Sequence, residues 1–518
     1  MNIIETVDLT KKFGTFIANN EINLSIKANE IRCIVGENGA GKTTLMNMLY
    51  GMLKPTSGTI LYKGKKVVYR SPADAISGGL GMVHQHFKLV PSLTVYENVL
   101  LGKELVKRKL FIDKKKEIQM VSDLIQKYKF KLDPLAKVED VSVGEQQRIE
   151  ILKMLARNVE VLIFDEPTAV LTPKEVDELI ETIKELRRNG KTIIIITHKL
   201  REVMEMADNI TVIRHGKVIE NVKKEETTEA ALAQMMVGRH VVLHVTNHHK
   251  KIEDQKEIYK VSHLSATNSQ GRKVLDDIFF SVNKGEIVGI AGVEGNGQSE
   301  LIDALTGLKS IKEGHVFLNQ REVTNCWPDQ CRNNGIGIIP EDRFSRGLCT
   351  TMSLSDNCIA GYHRKSSMSH WSLLNYHEID RLRDHYIEQF DIRVGDKEGT
   401  VGQLSGGNAQ KLIVARELEN RPLMLVACQP TRGVDIGSIE YIHNKLLEYR
   451  NNGNGILLIS SELSEILTLA DRILVMFKGN IVGCMASQEA TQEKIGLLMA
   501  GISDEQGGCK KCQENVLP

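Results

Sequence analysis

Gly36-Glu37-Asn38-Gly39-Ala40-Gly41-Lys42-Thr43-Thr44 is the stretch that decides how this 518-residue chain is read. It follows a strand-like apolar run (Ile31, Cys33, Ile34, Val35) and precedes a helix-like one (Leu45, Met46, Met48, Leu49). Two glycines enclosing four residues and followed by Lys-Thr, set between a strand and a helix, have the spacing of a loop that cradles phosphate. Glycines 36, 39 and 41 are expected to take positive φ and turn backbone N–H groups toward phosphate oxygens, with the helix N-terminus behind them. Lys42 would then place a point charge on the β- and γ-phosphates, and Thr43 would offer a hydroxyl to Mg²⁺.

The loop occurs twice. Gly292-Val293-Glu294-Gly295-Asn296-Gly297-Gln298-Ser299 repeats residues 36–43 at an offset of 256, which also carries Gln85 (in Gly-Met-Val-His-Gln) onto Glu341 (in Gly-Ile-Ile-Pro-Glu). Further on, Ser142 maps to Ser405, Pro167 to Pro430, Ala207-Asp208 to Ala470-Asp471 and Gly216 to Gly479, now at an offset of 263. The second copy has therefore gained seven residues, net, between Glu341 and Ser405. Self-similarity at this period predicts two homologous domains, 1–240 and 256–500, with a polar linker at 241–255 and a polar tail at 501–518. His240, His244, His248 and His249 fall at metal-like spacings around the linker, but no carboxylate or thiol framework accompanies them, so they read as a solvated connector. Cys509 and Cys512 make half a zinc site at most and read as an untied tail.

Composition narrows the classes. The 67 basic and 66 acidic residues leave a net charge of +1, which makes no electrostatic case for nucleic acid. Lys114 to Lys116 read as a solvated helix face. No apolar run approaches the ~18 residues that span a bilayer, and Met1-Asn2-Ile3-Ile4-Glu5 lacks the regions of a signal peptide. A cytosolic chain is expected, with any membrane role supplied by partners. Nine scattered cysteines, among them Cys33 and Cys428 in strand-like runs, imply reduced thiols.

Along the first copy, Leu9-Thr10-Lys11-Lys12-Phe13-Gly14 is read as lying before the first strands. Phe13 there is a candidate to stack on a nucleotide base, or equally to pack on a sheet edge. Alternating strand and helix signals argue for a parallel or mixed α/β sheet covered by helices. Gln85 ends a strand-like run. Ser142 and Gly144, in Val141-Ser142-Val143-Gly144-Glu145-Gln146-Gln147-Arg148, head an amphipathic run, a second helix N-terminus suited to an anion. Val161-Leu162-Ile163-Phe164-Asp165-Glu166 is a buried strand that would deliver two acids to the carboxyl edge of the sheet, where α/β proteins bind ligands. Asp165 would hold Mg²⁺, Glu166 would act as general base, and His198, after the run Ile193 to Ile196, could contact the γ-phosphate.

Taken together, the phosphate loop, Gln85, the stretch from Ser142 to Gln147, Asp165-Glu166 and His198 resemble the Walker A, Q-loop, signature, Walker B and switch-histidine motifs of ABC transporter ATPase subunits. The resemblance covers both copies, essentially residues 1–500. It implies two tandem P-loop NTPase domains of the ABC ATPase kind, each with a mixed or parallel sheet core and a helical subdomain. It further implies ATP and Mg²⁺ as cofactors, with Lys42, Glu166 and His198 catalytic and Thr43, Gln85 and Asp165 at the metal. ATP would be bound by Gly36, Glu37, Asn38, Gly39, Ala40, Gly41, Lys42, Thr43, Thr44, Phe13 and Gln85. The tandem arrangement resembles importer ATPases for sugars and nucleosides. These work with two transmembrane permease subunits, docked near the Gln85 and Glu341 loops, and with an extracytoplasmic substrate-binding lipoprotein, which implies a peripheral place on the cytoplasmic face of the membrane.

The copies differ where the chemistry lies. Lys42 becomes Gln298, Asp165 becomes Cys428, Glu166 becomes Gln429 and His198 becomes Ser461. The second copy nonetheless keeps the fuller signature, Leu404-Ser405-Gly406-Gly407-Asn408-Ala409-Gln410, against Ser142-Val143-Gly144, and keeps Asp435 where the first has Thr172. The family resemblance pairs the Walker motifs of one domain with the signature of the other. It thus implies one complete site (Lys42, Asp165, Glu166, His198 with Ser405, Gly406, Gly407, Asp435). The other is degenerate: Gly292, Gly297, Gln298, Ser299, Glu341, Cys428, Gln429 and Ser461 with Ser142, Val143, Gly144 and Thr172. The segments from Met82 to Val95 and from Ala427 to Gly433 resemble the nucleoside branch, so nucleoside import is expected, with monosaccharide import as the alternative. A soluble tandem ATPase acting on ribosomes or DNA fits less well, because such proteins usually keep both centres.

Overall fold

The computed structural model describes residues 1–84, 87–107, 111–168, 171, 173–238, 256–268, 270–293, 295–371, 373–499 and 501–502. The chain divides into two compact units, Met1–Val241 and Val242–Pro518, and each is built on the same plan.

In the first unit a six-stranded sheet runs in the order Lys217–Lys223, Asn209–Arg214, Ile31–Val35, Thr192–Thr197, Val161–Asp165, Leu80–Val83. Five strands are parallel and only the edge strand Lys217–Lys223 is antiparallel. The central strands Ile31–Val35, Val161–Asp165 and Thr192–Thr197 are buried along their whole length, which is why they read as unbroken apolar runs rather than alternating ones. A separate antiparallel sheet, ordered Phe16–Lys27, Asn2–Phe13, Ser57–Tyr62, Lys65–Val67, lies in the same unit. Along it, from Glu21 to Lys27, exposed and buried residues alternate, the signature of a sheet with one wet face.

This second sheet corrects the sequence reading. Residues 9–13 do not precede the first strands; they are the end of one, Asn2–Phe13, which pairs with both Phe16–Lys27 and Ser57–Tyr62. A single apolar cluster runs from Ile4, Leu9 and Ile22 of the antiparallel sheet through Leu45, Met46 and Leu49 to Ile34, Ile163 and Ile194 of the parallel one. The helix Lys42–Leu49 is therefore clamped by apolar contacts to both sheets, and its N-terminus is fixed in place. The helices Val95–Leu100, Lys114–Lys127 and Val143–Ala156 form a satellite cluster around Val99, Val121 and Leu152. Lys114, Lys115 and Lys116 are exposed on that surface, as expected.

The second unit repeats both sheets, one ordered Lys273–Asn283, Glu257–Thr267, Glu313–Leu318, Arg321–Glu322, the other Ile336–Ile339, Met424–Cys428, Gly455–Ser460, Ile287–Ala291, Arg472–Phe477, Asn480–Ala486. Its helical part holds Leu354–Cys358, Tyr376–Gln389 and Gly406–Glu419. Among the described residues no helix is long and apolar enough to cross a membrane. The cysteines described are free thiols. The linker histidines, Cys509 and Cys512 lie outside the described residues.

Candidate nucleotide site

The carboxyl ends of three adjacent parallel strands of the first unit carry Gly36, Asp165 and His198, so the register of the sheet gathers them. Gly39 and Gly41 take φ of 79° and 98°, and Gly41 caps the helix Lys42–Leu49. Gly36 does not take a positive φ, contrary to the sequence expectation; its requirement is steric. A Cβ there would stand 2.2 Å from the carbonyl oxygen of Ile213 on the neighbouring strand. Gly41 is required twice over, because its Cβ would meet Ala18 O at 2.4 Å and Asn19 Nδ2 at 2.7 Å. Asn19, fully buried, donates to Gly41 O at 3.1 Å and so ties the loop to the antiparallel sheet.

Lys42 is buried, and its ammonium donates to Gly36 O (2.6 Å) and Glu37 O (2.9 Å), which coils the loop around it. Burial lowers the Lys42 pKa, against the opposing charges of Glu166, Asp165 and Glu37. Asp165 is 8% exposed, and burial followed by the charge of Glu166 pushes its carboxyl up to about 6, with Lys42 pulling the other way. Glu166 behaves oppositely. Burial raises it, but the hydrogen bond from His198 and the charges of His198, Lys42 and Lys199 outweigh that and hold it below the usual glutamate value. The two adjacent acids are thus split in basicity, one hungry for positive charge and one kept ionised.

His198 Nδ1 lies 3.0 Å from Glu166 Oε1. The contact depends on a feature that the sequence does not advertise: Glu166 adopts φ of 46°, and its N–H donates to Ile196 O (2.9 Å) on the adjacent strand, so the chain turns back and aims the carboxylate at His198. Phe13 stands at the tip of the Asn2–Phe13 strand, 48% exposed, with Lys11 Nζ 5.0 Å from its ring centroid. Gln85 and Thr172 lie outside the described residues.

The second unit reproduces the scaffold with different chemistry. Gly295 and Gly297 take φ of 90° and 105°, and buried Gln298 donates to Gly292 O at 3.3 Å, occupying the place of the ammonium with a neutral amide. Gln429 has the same left-handed φ, 45°, and receives Ser461 N (3.2 Å) and Ser461 Oγ (3.1 Å), so the Glu–His pair becomes an amide–hydroxyl pair. Burial drives the Cys428 thiol far up, leaving it neutral where Asp165 stands in the first copy. Ser299 donates to Glu341 (2.8 Å), Glu341 lies 3.6 Å from Arg346 Nε, and Arg346 donates to Asp303 (2.6 Å). That chain of polar groups was not legible from the motifs, because Asp303 and Arg346 belong to none of them.

The two signature turns also differ. Ser142 caps the helix Val143–Ala156 by accepting from Glu145 N (3.3 Å), while Glu145 Oε2 accepts from Ser142 N (2.8 Å). The anion expected at this helix head is therefore supplied internally by a carboxylate. In the second unit Ser405 caps Gly406–Glu419 with Asn408 in the place of Glu145, and no acid stands in its first turn. Asp435 caps Ile436–Asn451 and accepts from Ser438 N at 2.8 Å.

A phosphate-cradling loop packed between two sheets and laid down twice in one chain, with an acid pair at the carboxyl edge and a histidine held on the second acid in the first copy, defines an ATP-binding cassette. The family model described as ABC transporter matches residues 19–169 and 275–432, and the chain belongs to this family. More particularly, it is 43% identical over 500 residues to the nucleoside import ATP-binding protein NupA of Lactococcus lactis subsp. cremoris, covering 96% of this chain and 98% of that one. It is 44% identical over 506 residues to the guanosine import ATP-binding protein NupO of Bacillus subtilis, covering 98% and 99%. The ribose import ATP-binding protein RbsA of Lactococcus lactis subsp. lactis is 36% identical over 498 residues, covering 96% and 99%.

Proposed function

We propose that this chain is the ATP-hydrolysing subunit of an importer that takes up nucleosides, with turnover supported by one set of catalytic groups and a second, eroded set that does not hydrolyse. The observation that carries the reading is the Glu166–His198 pair at 3.0 Å beside a buried lysine in the phosphate loop, set against Gln429, Ser461 and Gln298 in the repeat. Lys42 leaves its loop carbonyls to bind the β- and γ-phosphates. Glu166, kept ionised, accepts the proton of the attacking water. His198, with its proton on Nδ1, holds that carboxylate in line and senses the γ-phosphate.

The raised pKa of Asp165 marks a carboxyl short of positive charge, which fits a divalent cation; Thr43 and Asp165, with Gln85, would hold Mg²⁺. When bound, the ion neutralises charge on the β- and γ-oxygens. Ser299, committed to Glu341, and the neutral thiol of Cys428 suit a cation less well. By sequence resemblance Ser405, Gly406, Gly407 and Asp435 also serve nucleotide.

Nucleosides are favoured over sugars because the relatives named for nucleoside and guanosine import are 43–44% identical, against 39% for one named for glucose import and 36% for one named for ribose import. Permease partners are inferred from the same relatives. A cavity of about 130 Å³, mostly apolar in its lining (Ile302, Leu308, Ile336, Ile338) with Glu341 and Arg346 at it, lies beside the Glu341 loop. The test is uptake of labelled nucleosides, pentoses and hexoses by cells lacking this chain. Loss of nucleoside uptake alone is expected; loss of sugar uptake alone would overturn the substrate.

A further inference from the structure

Two residues beyond Glu341 lies an arginine that no motif includes. The loop after the strand Ile336–Ile339 winds into a single π-helical turn, Arg343–Gly347, capped by Asp342, whose carboxylate accepts from Phe344 N (2.8 Å) and Ser345 N (2.9 Å). This turn throws the Arg343 side chain across to two other segments. Nη1 donates to Arg432 O at 2.5 Å and Nη2 to Gly433 O at 3.1 Å. These carbonyls belong to the turn that ends in Asp435. The same Nη2 lies against the signature turn: a Cβ on Gly406 would stand 3.0 Å from it, and one on Gly433 3.2 Å. Its Nε is buried and has no hydrogen-bond partner among the described residues. One guanidinium therefore ties the Glu341 loop to the Arg432–Gly433 carbonyls and packs beside the head of the Gly406–Glu419 helix.

The repeat supplies an internal comparison. In the first copy the stretch between Gln85 and Leu93, which includes Phe87, holds no arginine, and Val143 stands in the place of Gly406. The copy that keeps a glycine beside the arginine is the copy with the fuller signature, and the copy without the arginine has a branched side chain in that place. Arginine spans two carbonyls from two nitrogens of one rigid planar fork, whereas a lysine ammonium offers its donors from a single, freely rotating point.

We propose that Arg343 is a positioning residue for ATP hydrolysis: it locks the Ser405-Gly406-Gly407 turn and the turn carrying Asp435 to the Glu341 loop, so that the signature meets nucleotide as one preset unit. This rests on the hydrolytic reading above. Displacing such a turn by about 1 Å is enough to cost on the order of 10²-fold in turnover while leaving substrate binding alone.

The experiment is steady-state ATPase kinetics of the full chain, scored as the rate that Lys42→Ala abolishes. Arg343→Ala is expected to lower kcat about 30- to 100-fold, with KM for ATP within about threefold and the melting temperature within a few degrees. Arg343→Lys, which keeps the charge but loses the rigid two-nitrogen fork, falls between. Gly406→Ala, which pushes into the guanidinium, lowers kcat in the parent but not further in Arg343→Ala, because both act on one contact. Independent, additive losses would overturn the proposal, as would kcat within about threefold of the parent in Arg343→Ala, or KM rising in step with the loss. If Arg343→Ala fails to fold, Arg343→Lys decides by the same split between kcat and KM. A rate that survives Lys42→Ala refutes instead the hydrolytic reading, and is recognised as such.

Discussion

Replacing Asp165 with asparagine tests the electrostatics of the site without any nucleotide. The carboxyl is pushed from 3.8 up to about 6, by burial first and by Glu166 second. A group whose folded pKa is raised binds its proton more tightly in the native state, so its contribution is fully present below the unfolded value and is lost as pH climbs through the folded one. Over that window of roughly two units, at 1.36 kcal/mol each, ionising Asp165 costs the first unit about 3 kcal/mol. Asparagine keeps the shape and removes the titration. In metal- and nucleotide-free protein at pH 4.5 the parent and Asp165→Asn should melt within about 2–3 °C of each other. At pH 7.5 the variant should melt about 6–12 °C higher in the transition that MgATP raises in the parent, from about 2–4 °C per kcal/mol for a unit of this size. A difference that does not change with pH, or a variant less stable at pH 7.5, refutes the argument.

Two further outcomes follow from the same geometry. Glu166→Gln keeps the left-handed turn and a contact to His198 but removes the base; we expect turnover to drop about 10²- to 10⁴-fold with ATP affinity within severalfold, as measured by kcat against equilibrium binding. Gly36→Ala drives a methyl to 2.2 Å from Ile213 O, so thermal unfolding should show a loss of more than about 2 kcal/mol together with weakened ATP binding; Gly39→Ala, whose Cβ meets nothing within 4 Å but whose φ is 79°, should lose less.

Much of the site was legible because its chemistry sits in short, fixed spacings: the loop at residues 36–44, the acids ending a wholly apolar strand, and the repeat that let Lys42 be compared with Gln298 inside one chain. What stayed hidden depends on contacts far along the sequence. Gly36 reads as a glycine needed for positive φ, yet the Ile213 carbonyl dictates it. The Asn2–Phe13 strand was missed at its end because Lys11 and Lys12 interrupt the apolar pattern, although both lie in the antiparallel ladder with Phe16–Lys27. Local sequence does not announce the backbone turn of Glu166, nor the reach of Arg343 to carbonyls 89 and 90 positions away. The head of the Val143–Ala156 helix looked open to an anion until Glu145 was seen closing it.

The asymmetry between the copies is tested most directly by ATP hydrolysis in Lys42→Ala and Gln298→Ala. Lys42 is a buried cation poised in its loop, whereas Gln298 offers only an amide to Gly292 O. Loss of a preorganised charge donor should lower the rate of Lys42→Ala by about 10²- to 10³-fold, and Gln298→Ala should stay within about threefold of the parent. Equal losses in the two variants would contradict a single hydrolytic centre.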